Sequence, residues 1–99
     1  MKHFVVELTY IAPLSAIDAV LAEHRAFLQA GYDQGLLLCS GPQEPRTGAI
    51  LVARAPSRDD LKAFFRADPF QSRNLAKYRF VEFTPVKHQG WLEDWVAGR

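Results

Sequence analysis

Phe4-Val5-Val6-Glu7-Leu8-Thr9-Tyr10 alternates with a period of two: Phe4, Val6, Leu8 and Tyr10 point one way, and Val5, Glu7 and Thr9 the other. Side chains of a strand alternate between faces, so this stretch reads as a strand. Pro13 ends it, and Ser15 is placed to cap a helix. From Ala16 to Asp33 the apolar residues Ile17, Val20, Leu21, Phe27 and Leu28 fall at helical spacing. His24 occupies a slot on that apolar stripe, four residues before Leu28.

Gly35 supplies a turn, and Leu36-Leu37-Leu38-Cys39 reads as a strand covered on both faces. It runs into Ser40-Gly41-Pro42, then a polar connection from Gln43 to Gly48. Ala49 to Ala55 is a further apolar strand, so the two form a hairpin. Ser57, with Asp60 three residues on, resembles a capping box and opens a second helix through about Ala67. Its stripe is Leu61, Phe64 and Phe65. A residue before proline avoids the helical region, so Asp68-Pro69 ends this helix. A short turn or helical piece then runs to about Ala76. Lys77 to Val86 is the last strand, and Trp91-Leu92 with Trp95-Val96 suggests a short amphipathic helix at the C-terminus.

The order is βαββαβ plus a tail helix, within one domain spanning residues 1–99, with a core over 3–87 and a helical tail over 90–97. With right-handed crossovers this is an α+β, ferredoxin-like arrangement: a four-stranded antiparallel sheet with both helices on one face. The first three strands carry apolar residues on both faces, as in Val5 beside Val6 and Leu37 beside Leu38. A bare sheet face would alternate more cleanly with polar residues, so something covers it. A second copy is the simplest cover, which predicts a homodimer joined through the sheets.

Composition narrows the function classes. The chain has 99 residues, 48% apolar and 23% charged, with a net charge of +1, the values of an ordinary globular protein. Arg and Lys gather between Arg58 and Arg79, but Asp59, Asp60 and Asp68 are mixed among them. A solvated face is expected there, not a nucleic-acid partner. No apolar run approaches the ~20 residues that span a bilayer, so no membrane association is expected. A strand pattern begins at once after Met1-Lys2-His3, with no leader-like stretch, and the expected location is the cytoplasm. Cys39 sits in an apolar stretch and is expected to be a buried thiol. There is no phosphate-binding glycine loop, no serine elbow and no metal-spaced Cys/His set, so neither cofactor nor metal is expected.

Of the three histidines, His3 and His88 flank strand edges, where solvated roles are expected. His24 lies on a helical face otherwise meant for the core. Two readings stand: a histidine satisfied by a backbone carbonyl or water, or a proton-transfer group with a carboxylate partner. Both helices are expected to follow parallel strands and so to run side by side in the same direction. His24 then lies about 13 Å up its helix and Asp68 about 16 Å up its own, at similar heights. A carboxylate accepting from one ring nitrogen would leave the other free to take a proton. Asp68 also has the simpler role of capping the piece that begins at Pro69, and the two roles can coexist. Tyr10, Ser40, Gly41 and Phe70 fall at strand ends or beside this pair and are the expected rim of a small-molecule site.

His24, Gly35-Leu36-Leu37, Gly41-Pro42, Gly48, Asp68-Pro69-Phe70 and Val81-Glu82-Phe83-Thr84-Pro85 together resemble the YCII-related family, over most of the chain from His3 to Pro85. The resemblance implies a dimeric α/β barrel, a His–Asp dyad, and kinship with muconolactone-isomerase-like and dehalogenating lactone enzymes. The chain departs from the family at two points. Gln71-Ser72-Arg73-Asn74 stands where a glycine often comes after the aromatic, and Leu21-Ala22-Glu23 stands where a basic residue can precede the histidine. Three functions compete: an acid–base enzyme acting on a carbonyl or lactone-like compound, a non-catalytic ligand-binding or accessory module, and a haem- or quinone-handling monooxygenase of similar fold. A carboxylate clamp on His24 speaks against the haem reading.

Overall fold

The computed structural model describes residues 1–99. Its elements are β1 (Lys2–Tyr10), α1 (Leu14–Ala19), α2 (Leu21–Asp33), β2 (Leu37–Pro42), β3 (Gly48–Ala55), α3 (Arg58–Phe65), α4 (Pro69–Ser72), β4 (Ala76–Phe83), a 3-10 turn over Gly90–Leu92 and α5 (Glu93–Val96). The four strands form one antiparallel sheet in the order β2-β3-β1-β4. This is the ferredoxin-like α+β arrangement with a short C-terminal helix. No helix is long and apolar enough to cross a membrane.

The register places Phe4, Val6 and Leu8 of β1 opposite Ala53, Leu51 and Ala49 of β3. On the other side they face Glu82, Phe80 and Tyr78 of β4. Ile17, Leu28, Leu61, Phe65 and Phe70 close over this face, making one core. Gly48 permits the approach of β3 to β1, because a Cβ there would stand 1.8 Å from the Leu8 carbonyl oxygen. Gly35 turns the chain at φ +74, a region side chains disfavour.

Several local expectations are corrected. The first helix is two: the chain breaks at Val20 (φ −115, ψ 9), whose side chain is buried, and Ser15 makes no cap. Pro13 takes the N-cap position, its carbonyl receiving the amides of Ala16 and Ile17. The second helix ends at Phe65, before Ala67, and the last strand ends at Phe83, before Val86. Ser57 does cap α3, accepting from the Asp60 amide at 3.1 Å.

The β2 strand extends to Pro42, and past Leu38 its side chains are exposed within the chain, contrary to a strand covered on both faces. β2 is an edge strand, and a register shift falls between Leu37 and Cys39. The extra residue flips the alternation, turning Cys39 to the outer face and Ser40 to the helix face. Cys39 is exposed, not buried.

The outer face retains the half-buried Val5, Ile50, Val52 and Val81 and the exposed Phe83. One end of it is covered by the tail. Trp95 packs its ring against His3 at 5.2 Å, and the Arg54 guanidinium lies over the same ring. Arg54 also donates to the carbonyls of Gly35 (2.8 Å) and Trp95 (2.7 Å), tying the tail to the turn before β2. His3 is therefore buried, against the expectation of a solvated edge residue. Trp91 is 79% exposed and anchors nothing within its own chain.

Candidate active site

Asp68 leaves α3 in the extended region (φ −65, ψ 124), as a residue before proline must, and becomes the N-cap of α4. Its Oδ1 accepts the Phe70 amide at 3.1 Å. The same oxygen accepts from His24 Nδ1 at 2.7 Å, so capping and pairing coexist. Oδ2 accepts the Tyr78 hydroxyl of β4 at 2.5 Å. Three donors thus converge on a side chain with no solvent exposure.

The reason these residues meet is not the one the sequence suggested. β1 and β3 are antiparallel, so the helices that come after them also run in opposite directions. Along α2, His24 meets Asp68, Phe27 meets Phe64 and Phe65, and Gly31 approaches Phe64. The first turn of α2 therefore lies against the end of α3, where the chain has just reached Asp68.

The His24 ring is held on a second side. Phe70 stacks on it at 3.9 Å between centroids and 11° between planes, and Tyr10 meets Phe70 edge-on at 5.9 Å. Phe70 is itself pinned, since its carbonyl receives the Leu75 amide after a turn in which Asn74 takes φ +56. Asparagine tolerates that left-handed conformation, so the stretch that lacks the expected glycine makes the turn a glycine would make.

With Nδ1 donating to a carboxylate, Nε2 carries the lone pair. Nε2 has no protein partner, and His24 lines a cavity of about 430 Å³. Tyr10, Ser40, Gly41 and Phe70 line the same cavity, so all six residues singled out from the sequence lie in or directly behind it. Leu21, Leu28, Ala49, Leu51 and Pro42 supply an apolar wall. Ser40 reaches the cavity because of the bulge in β2, and its hydroxyl bonds that of Tyr32 on α2 at 2.6 Å. Gly41 presents no side chain there, leaving that wall open.

Three contributors escaped the sequence reading. Tyr78 reaches Asp68 only through the β1–β4 register. Burial, reinforced by the Asp68 charge, pushes the Tyr78 phenol well above its usual pKa, so it remains a hydrogen-bond donor at neutral pH. Arg25, next to His24 on α2, and Arg46, in the β2–β3 loop, also line the cavity. Arg46 bonds Asp18 at 2.5 Å, which holds its guanidinium in the charged form. No group of three or more His, Cys, Asp or Glu side chains converges in the chain, and His24 is the only residue of those types lining the cavity.

The family model of the YCII-related domain matches residues 3–84. The chain belongs to the YCII-related family. None of the curated proteins matches it significantly. Among solved structures, this YCII-related chain is similar to the 5-chloro-2-hydroxyhydroquinone dehydrochlorinase of Burkholderia phenoliruptrix, solved in complex with 2,5-dihydroxybenzoquinone. The two are 21% identical with a TM-score of 0.68, over 90% of this chain and 96% of that one. The likeness is one of fold.

Proposed function

We propose that this protein is an acid–base enzyme that moves a proton on a small carbonyl, lactone-like or hydroxyquinone compound, with His24 as the proton carrier and Asp68 as its orienter. The observation that carries the proposal is the 2.7 Å bond from His24 Nδ1 to the wholly buried Asp68, with the opposite nitrogen turned to a cavity. Nε2 takes a proton from a C–H or O–H beside the substrate carbonyl. The electron pair left behind either shifts into the carbonyl or expels a leaving group on the neighbouring carbon. The imidazolium formed is balanced by the Asp68 carboxylate, and it returns the proton to the isomerised product or gives it up with the leaving group. A dehydrochlorination is one reaction of this kind, which is why the structural relative's activity is the first to try.

The cavity is of the size and apolar lining usual for single-ring ligands. Tyr10, Ser40, Gly41 and Phe70 form its binding surface in this reading. A second copy covers the apolar outer face through Val5, Val52, Val81 and Phe83, and the dimer is checked by light scattering at micromolar concentration. A mass of one chain would remove that part of the reading.

The test is chloride release from 5-chloro-2-hydroxyhydroquinone and solvent-deuterium incorporation into a panel of small enolisable lactones. Turnover that His24→Asn abolishes is expected. Wild type and His24→Asn behaving alike across the panel would contradict the enzyme reading and leave a ligand-binding module.

A further inference from the structure

The cavity lining contains two guanidinium groups, Arg25 and Arg46, and not one carboxylate. Asp68 lies behind His24 and Phe70 and is consumed by its three donors. Asp18 lies outside the lining and engages Arg46. Arg25 makes no ion pair, unlike Arg46, Arg58, Arg73 and Arg99, each of which has an acidic partner. A concave, partly apolar site whose only formal charges are positive concentrates anions and disfavours cations. Guanidinium groups suit this task, since they stay charged and present paired donors that match a carboxylate or a phenolate oxygen.

We infer that the protein selects small organic anions, a ring-sized apolar body bearing an ionised carboxylate, enolate or phenolate, and that Arg25 and Arg46 are its specificity-determining residues. Resting on the proposed function for the identity of the site, this names the substrate class it takes. The body lies along Leu21, Leu28, Leu51 and Phe70, within reach of His24 Nε2, while the charge faces the arginines. Arg46, anchored by Asp18, is a fixed contact; Arg25, without a partner, is free to close on the ligand. The same two cations answer the missing basic residue ahead of His24: the charge comes from the residue after the histidine and from the hairpin loop.

The experiment compares two probes of nearly equal shape by calorimetry at neutral pH and low salt. One is 2,5-dihydroxybenzoquinone, an acidic hydroxyquinone ionised at that pH; the other is its neutral dimethyl ether. Two partly exposed ion pairs, each worth a few-fold, predict that wild type prefers the anion by about tenfold. Arg25→Gln and Arg46→Gln should each remove part of the preference, and the double variant all of it. Asp18→Asn breaks the same Arg46 pair but keeps the cation, so it should hold or raise the preference. If loss of a structural loop contact were the cause, Asp18→Asn would instead behave like Arg46→Gln. His24→Asn should keep the preference, which separates this inference from the catalytic reading. Equal binding of the two probes by wild type, no binding of the anion at millimolar concentration, or a preference surviving in the double variant would overturn it.

Discussion

The chain buries two histidines to the same degree, 5% exposed each, and puts an aromatic ring against both. On the helix side of the sheet, His24 has a carboxylate on Nδ1 and a cavity at Nε2. On the outer side, His3 meets Trp95, Arg54 and the N-terminus, and its Nε2 is buried with no partner. Burial is the main cause that disfavours the His3 imidazolium; a backbone hydrogen bond with Trp95 opposes it, and the positive charges of the N-terminus and Arg54 add to it. At His24 the partner is an anion that can balance a transient imidazolium. In the proposed function, what would separate a proton carrier from a packed ring is the sign of the neighbouring charge and where the second nitrogen points.

Replacing each histidine separates the two directly. His24→Asn keeps roughly the ring's volume and should lower turnover by about 10²–10⁴-fold, the usual worth of a positioned acid–base group. His3→Asn should leave turnover within about twofold, set against that same scale. Chloride-release rates with both variants check this, and a comparable loss in His3→Asn would erase the contrast.

Stability comes next. Asp68→Ala removes an N-cap worth about 1 kcal/mol and leaves the Tyr78 hydroxyl and His24 Nδ1–H without an acceptor, each costing about 1–3 kcal/mol. Asp68→Asn keeps an acceptor for part of this set, and Tyr78→Phe removes one donor only. Urea denaturation should therefore rank the losses Asp68→Ala above Asp68→Asn, with Tyr78→Phe below the alanine variant. A loss below about 1 kcal/mol for Asp68→Ala would mean that the triple acceptor role is not formed.

How much of this contrast could be read in the sequence depends on the range of the interaction. The strands were legible because alternation is local, and Asp68-Pro69 announced both a helix end and a cap. His24 was conspicuous as a titratable residue on an apolar stripe. His3 was not, because its burial depends on Trp95, 92 positions away and brought back by the tail. Tyr78 depends on strand register, and Ser40 and Cys39 exchange faces because of a bulge that no local motif announces. Val20 breaks the first helix without a proline or glycine to mark it. The pairing of His24 with Asp68 was legible, but from parallel helices; it arises because the helices are antiparallel and their adjoining ends meet.

The smallest effect concerns the tail. The His3 pKa lies below its unfolded value of about 6.5, so well above that pH neither state binds the proton and His3 contributes no pH dependence. As pH falls below that value the unfolded chain takes the proton first, and stability declines until the folded His3 titrates. His3→Gln should flatten this acid-side slope without changing stability's pH dependence above about pH 7. Deleting residues 90–99 should flatten it too and lower the melting temperature, since the Trp95 cover is gone. An unchanged slope in His3→Gln would place the acid sensitivity elsewhere.

In the proposed function, Asp68 holds His24 as the Nδ1–H tautomer with Nε2 open to the cavity. Histidine ¹⁵N NMR on the intact protein at mildly alkaline pH reads this without any substrate. A protonated Nδ1 and a pyridine-like Nε2 are expected for His24, with the balance shifting toward Nε2–H in Asp68→Asn. A wild-type His24 already in the Nε2–H form would contradict the account, because the nitrogen facing the cavity would then have no lone pair to accept a proton.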